Sequence, residues 1–236
     1  MQNSSPVLAL IPARGGSKSL PGKNMYDVDG IPLIGYSIKA AIKSKHICDV
    51  YVTSDDVSIL NYAKTYGVNL VNRPYIHSTD VATASDVVKH FISTISDEII
   101  NQNPFIAYLQ PTSPLRNEKH IDEAFEQMIN SGSNQLISVV RMIKTPFKAF
   151  ILDKKGNLKH LFNENYTNSR RQDLPQAYMP NGAIYIFRLS DFVKNYEFPS
   201  NGSYPYLMDN YESLDIDTKD DISTLCNSLK KSKLFN

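Results

Sequence analysis

Apolar positions along this chain follow two alternating rhythms. VLALI (Val7–Ile11) is an unbroken apolar run of strand length, the pattern of a strand covered on both faces inside a parallel sheet. Ile34, Ile38, Ala41 and Ile42 then recur at helical spacing, with Pro32 placed for a first helical turn. DVYVT (Asp49–Thr53) predicts a second strand, and Ile59, Ala63 and Tyr66 predict a second helix that Gly67 stops. Val87, Val88, Phe91, Ile92, Ile95 and Ile99 predict one longer helix, followed by a strand at FIAYL (Phe105–Leu109). Ile121, Ala124, Phe125, Met128 and Ile129 mark another helix, and LISVV (Leu136–Val140) another buried strand. This alternation predicts an α/β fold, a mostly parallel sheet with helices on both faces. Ligands of such sheets gather beyond the carboxyl ends of the strands.

The rhythm breaks between Lys144 and Pro180. FKAFIL, a KKGN turn and LKHLF predict a hairpin, and the polar stretch NENYTNSRRQDLPQ follows. This excursion holds too little apolar material to bury a core alone. AIYIF (Ala183–Phe187) rejoins the sheet, so residues 1–143 and 181–236 form one core with 144–180 inserted in it. Ile222, Leu225, Cys226 and Leu229 mark a last helix, opened by Thr218 with Asp221 three residues on, a capping-box pattern. The closing KKSKLFN reads as a solvated tail.

Composition narrows the chemistry. A chain of 236 residues, 42% hydrophobic and 21% charged, suits one domain with a small appendage and excludes disorder. Twenty-five basic against 24 acidic residues give a net charge of +1, too little for a global field that captures nucleic acid or an anionic membrane. Any bound anion must therefore be held locally. Cys48 and Cys226 share no metal-binding spacing and are expected to be buried reduced thiols. MQNSSPVLALIPAR lacks the basic leader and long apolar core of a signal peptide, and no run approaches the ~20 apolar residues of a membrane span, so a cytoplasmic protein is expected.

The segment that says most is IPARGGSKSLPGKN (Ile11–Asn24), which leaves the first strand with Arg14, Lys18 and Lys23 set among Gly15, Gly16 and Gly22. Glycines let backbone N–H groups approach an anion closely and the cations supply charge, a combination suited to a polyphosphate. The competing reading is an ordinary basic turn. Ser17 and Asn24 break the Walker A pattern and no GxGxxG is present, which removes the main support for an ATPase or a dinucleotide-dependent dehydrogenase. Near the end, alternation in Asp215-Ile216-Asp217 puts both carboxylates on one side and Ile216 toward the core. Hard oxygens at that spacing suit Mg²⁺. Alternatively Asp217 caps the last helix and Asp215 is solvated. The pair alone does not separate these readings, and a polyphosphate loop nearby favours the metal. Asp55 and Asp56 read as helix-start residues. LQPTSPLR (Leu109–Arg116) leaves Gln110, Thr112, Ser113 and Arg116 as polar groups on a proline-stiffened loop, Arg73 is placed to hydrogen-bond a base carbonyl, and His77 reads as incidental.

Five segments in register, IPARGGSKSLPGKN, RP…D…S (Arg73–Ser85), LQPTSPLR, RRQDLPQAYMPNGAIYI and LDIDT, resemble the acylneuraminate cytidylyltransferases, or CMP-sialic acid synthetases, from Leu8 to about Asp221. The resemblance implies a Rossmann-like nucleotidyltransferase fold, a homodimer, and a dimerisation arm, matching 144–180, that reaches over the partner's site. It implies that Arg14, Lys18, Lys23 and Asn24 hold the CTP phosphates, that Arg73 and the backbone near Ala82 read cytosine, and that Gln110 and Asn181 meet the sugar acid. Lys148 and Arg171 would complete the neighbouring subunit's sugar pocket, and Asp215 and Asp217 would bind Mg²⁺. The chain departs from some relatives at Met179, where they carry arginine, and at Ala84, where they carry serine. The implied reaction is attack of the anomeric hydroxyl of a sialic acid, or a related 2-keto sugar acid, on the α-phosphorus of CTP.

Four other readings compete. Legionaminate, pseudaminate or Kdo would present the same carboxylate to the same cations. A glycosyltransferase DxD usually sits mid-chain, whereas this pair opens the last helix. A catalytically silent nucleotide-binding regulator is disfavoured by the intact Lys23 and aspartates, and a nucleic-acid module by the charge balance, despite Arg170-Arg171.

Overall fold

The first strand, β1 (Val7–Pro12), explains how the sheet is built. Val7, Ala9 and Ile11 point into one apolar layer, while Leu8 and Leu10 point into another. A strand apolar on both sides is stable only in the middle of a sheet covered on both faces. The computed structural model, which describes residues 5–234, places it there.

In chain order the elements are β1, the two-residue strands β2 (Asp27–Val28) and β3 (Ile31–Pro32), α1 (Leu33–Lys43), β4 (Ile47–Ser54), α2 (Val57–Lys64), β5 (Asn69–Asn72), α3 (Ala84–Ile92), α4 (Asp97–Asn101), β6 (Phe105–Tyr108), α5 (Glu118–Asn130), β7 (Gln135–Arg141), β8 (Phe150–Leu152), β9 (Leu158–His160), α6 (Glu164–Asn168), β10 (Tyr178–Arg188), α7 (Leu189–Asn195), β11 (Tyr204–Met208) and α8 (Lys219–Leu234). Seven strands form the main sheet in the order β11-β7-β10-β6-β1-β4-β5. Every pairing is parallel except those of β10, which runs against both β6 and β7.

One core layer joins β1 to α1, α2 and α5 through Ile34, Ile38, Ile59, Ile121 and Phe125. The other joins it to α3 and α7 through Val87, Val88, Phe91, Leu189 and Phe192. A third, smaller cluster of Leu20, Val28, Leu33, Ile216, Ile222 and Leu225 packs the glycine-rich loop, the β2–β3 ribbon and α8 together. It fastens the two chemically loaded segments, far apart in sequence, to one apolar plug.

Several expectations need correction. The single helix from Val87 to Ile99 is two helices. The Thr94 hydroxyl donates to Phe91 O at 2.7 Å, and Ser96 then accepts from Ile99 N–H to open α4. Hydroxyls competing with the helix ladder are the cause. Helix α2 ends at Lys64, so Tyr66 lies beyond it, its hydroxyl 2.7 Å from that of Tyr62. β5, β11 and α7 carry no strong periodic signal; β5 lies at the sheet edge and buries only Val71. Helix α8 continues to Leu234, through most of the segment expected to be a tail. Cys48 is exposed and Cys226 half-buried, so neither is the buried thiol expected.

Between β7 and β10 the chain leaves the sheet. β8 and β9 pair as the expected antiparallel hairpin, and the Asp153 carboxylate accepts from the N–H groups of Lys155 and Asn157 across its turn. Phe147 packs on Phe162 and Tyr166. Ile143, Phe150, Ile151, Leu152, Leu158, Leu161 and Phe162 nevertheless stay exposed.

Candidate active site

The glycine-rich loop is pinned from both ends. Ala13 N–H donates to Thr53 O at 2.9 Å, Gly15 N–H to the Asp55 carboxylate at 3.0 Å, and the buried Asn24 amide to Arg14 O at 2.8 Å. Gly15 has no room for a side chain, since a Cβ there would lie 2.8 Å from Cβ and Oδ2 of Asp56. Asp56 also accepts from Ser58 N–H as the N-cap of α2, and the Ser58 hydroxyl that donates to it holds its carboxyl below the usual range. Asp55 therefore does more than begin a helix: it ties the loop to the end of β4.

All three loop cations are paired. Arg14 and Lys18 each reach one oxygen of Asp80 at 2.7 Å, and Lys23, nearly buried, reaches Asp217 at 2.9 Å. Asp80 belongs to the 73–83 stretch, whose signal in the sequence was a lone acidic residue given no role.

The Asp215-Ile216-Asp217 segment sits as alternation predicts. Ile216 is fully buried in the small apolar plug, and its N–H donates to Thr112 O at 2.9 Å. Burial pushes the Asp215 carboxyl above the usual range; Asp217 adds to the effect, and a hydrogen bond with Thr112 and the charge of Lys23 oppose it. Capping of α8 falls to Thr218, with Asp221 accepting from its N–H and hydroxyl, so Asp217 is not the cap. The competing reading of that residue falls away. Among the described residues no group of three or more His, Cys, Asp or Glu converges as a metal cage. A divalent ion held here would depend on two carboxylates plus substrate or water oxygens, the manner in which Mg²⁺ is usually bound.

These segments enclose a cleft of about 340 Å³ beyond the carboxyl ends of β1 and β6, lined by Arg14, Lys23, Asn24, Arg73, Ala82, Gln110, Asp215 and Asp217. Lys18 stands at the rim, mostly exposed, and reaches the cleft wall through Asp80. Arg73 is only 4% exposed; its Nε donates to Ser78 Oγ at 3.0 Å, and burial lowers its guanidinium pKa. Ala82 N–H already donates to Thr79 O at 3.1 Å, which leaves the Ala82 carbonyl to meet a ligand. His77 lines the cleft and stacks on His90, and Ala84 lines it as the first residue of α3.

Gln110 is held at its carbonyl, which accepts from the Ser37 hydroxyl at 3.3 Å and from Arg116 at 3.5 Å. Its side chain lies over Gly182, where a Cβ would come within 2.6 Å of the Gln110 Oε1 and where φ is +77°. Arg116, one of the polar groups expected on this loop, is 1% exposed and bonds to Ser37 beneath the loop, and burial lowers its pKa to about 9. Two prolines turn the loop over it.

Three expected site residues lie elsewhere in the chain. Asn181 is buried outside the cleft, its Oδ1 accepting from Ser138 Oγ and Ala183 N–H and its Nδ2 donating to Ser213 Oγ and Met208 Sδ. Fully engaged, it locks the irregular step in β10 and does not face this chain's cleft. Lys148 lies in the excursion, in a turn at Pro146–Lys148. Arg171 bonds to Ile143 O and lines a second cleft of about 550 Å³ with Arg141 and Gln176. Met179 is exposed beside it on β10.

A mostly parallel sheet with one reversed strand, a cationic glycine-rich loop after the first strand and a carboxylate pair on the same cleft define a Rossmann-like α/β protein. The cytidylyltransferase family profile matches residues 8–222, and the chain belongs to that family. An N-acylneuraminate cytidylyltransferase of Streptococcus agalactiae serotype III is 36% identical over 91% of this chain and 51% of that protein. The CMP-N,N'-diacetyllegionaminic acid synthase of Legionella pneumophila is 34% identical over 90% of this chain and 91% of that one. The chain thus spans about half the length of the curated N-acylneuraminate cytidylyltransferases it matches. Among solved structures, a CMP:2-keto-3-deoxy-manno-octonic acid synthetase complexed with CTP superposes with a TM-score of 0.68 over 97% of this chain and all of that one. Its 16% identity makes this a likeness of fold. Among the described residues no helix is long and apolar enough to cross a membrane.

Proposed function

We propose that this chain transfers CMP from CTP to the anomeric hydroxyl of a nine-carbon 2-keto sugar acid of the sialic or legionaminic type, releasing pyrophosphate. The observation that carries the reading is the gathering of three loop cations and two carboxylates around one cleft. N-acetylneuraminate is the first candidate acceptor. The Legionella relative, matched over most of its own length, makes the legionaminic acid a specific second one.

Phosphoryl transfer asks a protein chiefly to position reactants and to spread negative charge. Arg14, Lys18 and Lys23 hold the β- and γ-phosphates and stabilise the leaving pyrophosphate as its charge grows. Arg73 and the Ala82 carbonyl face the base, and Gln110 faces the sugar acid. Asp215, its carboxyl pushed up by burial, accepts the proton of the attacking hydroxyl, directly or through water. Asp215 and Asp217 suit Mg²⁺, which when bound supplies positive charge to the phosphate oxygens. The 144–180 arm, with its exposed apolar residues, is read as a dimer contact that carries Lys148 and Arg171 to the partner's sugar pocket.

Pyrophosphate release tests the reading. CTP with N-acetylneuraminate or the legionaminic acid should release it in the presence of magnesium, and UTP in place of CTP should not. Silence with every nine-carbon acid would return the chain to the class of nucleotide-binding regulators, and turnover confined to eight-carbon acids would overturn the choice of sugar.

A further inference from the structure

Among the described residues, Asp80 engages two of the three loop cations, with Arg14 on one carboxylate oxygen and Lys18 on the other, both at 2.7 Å. Hydrogen bonds from Lys18 and then Arg14 hold its carboxyl below the usual range, so it stays anionic at neutral pH. It lines the cleft, and it belongs to the stretch between Arg73 and Ala82 that borders the same cavity. With Lys23 on Asp217, no loop cation is without an internal counter-ion.

We infer that Asp80 is an internal stand-in for the triphosphate: a carboxylate that holds Arg14 and Lys18 in place and that an incoming polyphosphate must displace. The inference rests on the nucleotide-binding reading above and goes beyond it, because it assigns a role to a residue outside the transfer chemistry. Two physical consequences follow. The loop cations are already gathered, so repulsion between them is not met afresh when the ligand arrives. Displacement also sets a threshold, since an anion able to engage both cations at once replaces the two-pronged contact and a weaker one does not. These pairs are solvent-exposed, with Lys18 82% and Asp80 43% accessible, and exposed pairs are individually weak. The contact is strong enough to compete with a phosphate and weak enough to be lost to one.

Titration calorimetry on the full chain, with inorganic tripolyphosphate and with cytidine as separate probes, tests this. Asp80→Asn removes the charge at nearly constant shape from a surface loop. It should bind tripolyphosphate about three- to tenfold more tightly than the wild type, with a salt dependence at least as steep. Asp80→Glu, which keeps the carboxylate, should stay within about twofold of wild type. Cytidine, which carries no phosphate, should bind all three proteins alike. Unchanged or weaker tripolyphosphate binding by Asp80→Asn overturns the inference, because Asp80 would then be positioning the cations and not competing for them. Tighter binding by Asp80→Glu to the same degree as Asp80→Asn overturns it too, since charge would not be the cause. A wild-type chain that binds neither tripolyphosphate nor CTP brings down the proposed function itself.

Discussion

Asp217 has two partners in view, Lys23 at 2.9 Å and Asp215 two residues back, yet its side chain remains 64% accessible. Thr218, not Asp217, caps the helix that follows, so Asp217 can be changed without unfastening α8. Asp217→Ala should therefore lower turnover about 100-fold or more, the scale of losing a positioned charge at a reaction centre. The circular dichroism spectrum and thermal midpoint should stay close to wild type; near-normal turnover would remove Asp217 from the metal site. At this scale the sequence was informative where chemistry and spacing coincide. Arg14, Lys23, Asn24, Arg73, Gln110, Asp215 and Asp217 converge as the motifs implied. It carried Asp80 only as a motif position without a role, because its contacts depend on which loop lies opposite. It did not say how deep Arg116 lies, because nothing local distinguishes an arginine displayed on a loop from one folded beneath it.

Helix starts set much of the local order around the cleft. Asp56 opens α2, and Thr83 with Asp86 opens α3 in a reciprocal capping box. The Ser58 hydroxyl holds the Asp56 carboxyl below its ordinary value of 3.8, and the Thr83 N–H does the same for Asp86. A carboxyl whose folded pKa is depressed adds stability in full above its unfolded value, and that stability is lost as pH falls through the folded one. Asp56→Asn/Asp86→Asn keeps good capping residues and removes the titration. Wild type should exceed this variant in urea midpoint at pH 7, and the gap should close as the pH is taken down through the carboxylate range. A gap that persists undiminished at pH 3 would show that charge at these caps contributes nothing. Elements with a buried face were legible for the reason these caps matter: periodicity records burial. β1, β4, β6, β7 and α5 bury whole faces and were found, whereas β5 buries one residue and leaves little trace. The break between α3 and α4 arises from Ser and Thr hydroxyls, which an apolar periodicity does not register.

For the whole molecule, the exposed apolar surface of the 144–180 excursion is the feature a lone chain explains least. In the proposed dimer this exposed apolar surface is covered, because the arm crosses to the other subunit. Mixed dimers of Arg171→Ala and Lys23→Ala chains should then regain roughly a quarter of wild-type activity, because random pairing makes about half of the dimers mixed and each mixed dimer has one intact site. Recovery no greater than the sum of the separate variants would mean that each site is built within one chain. The mostly parallel sheet was foreshadowed by the alternation of elements, but the strand order and the direction of β10 were not, since an apolar run carries no sign of which way it lies.

β10 has a mechanical meaning. Its far end, Tyr185–Arg188, is gripped between β6 and β7, and its near end, Tyr178–Pro180, lies along β7 at the root of the arm. The step between them is held by hydrogen bonds from Ser138 to Asn181 and from Ile184 N–H to Ser138. A rod held at both ends transmits torque instead of absorbing it, so the arm keeps the heading that the sheet's twist gives it. Two subunits joined through such arms would act as jaws of fixed gauge, the spacing of their clefts set by strand geometry before any nucleotide arrives.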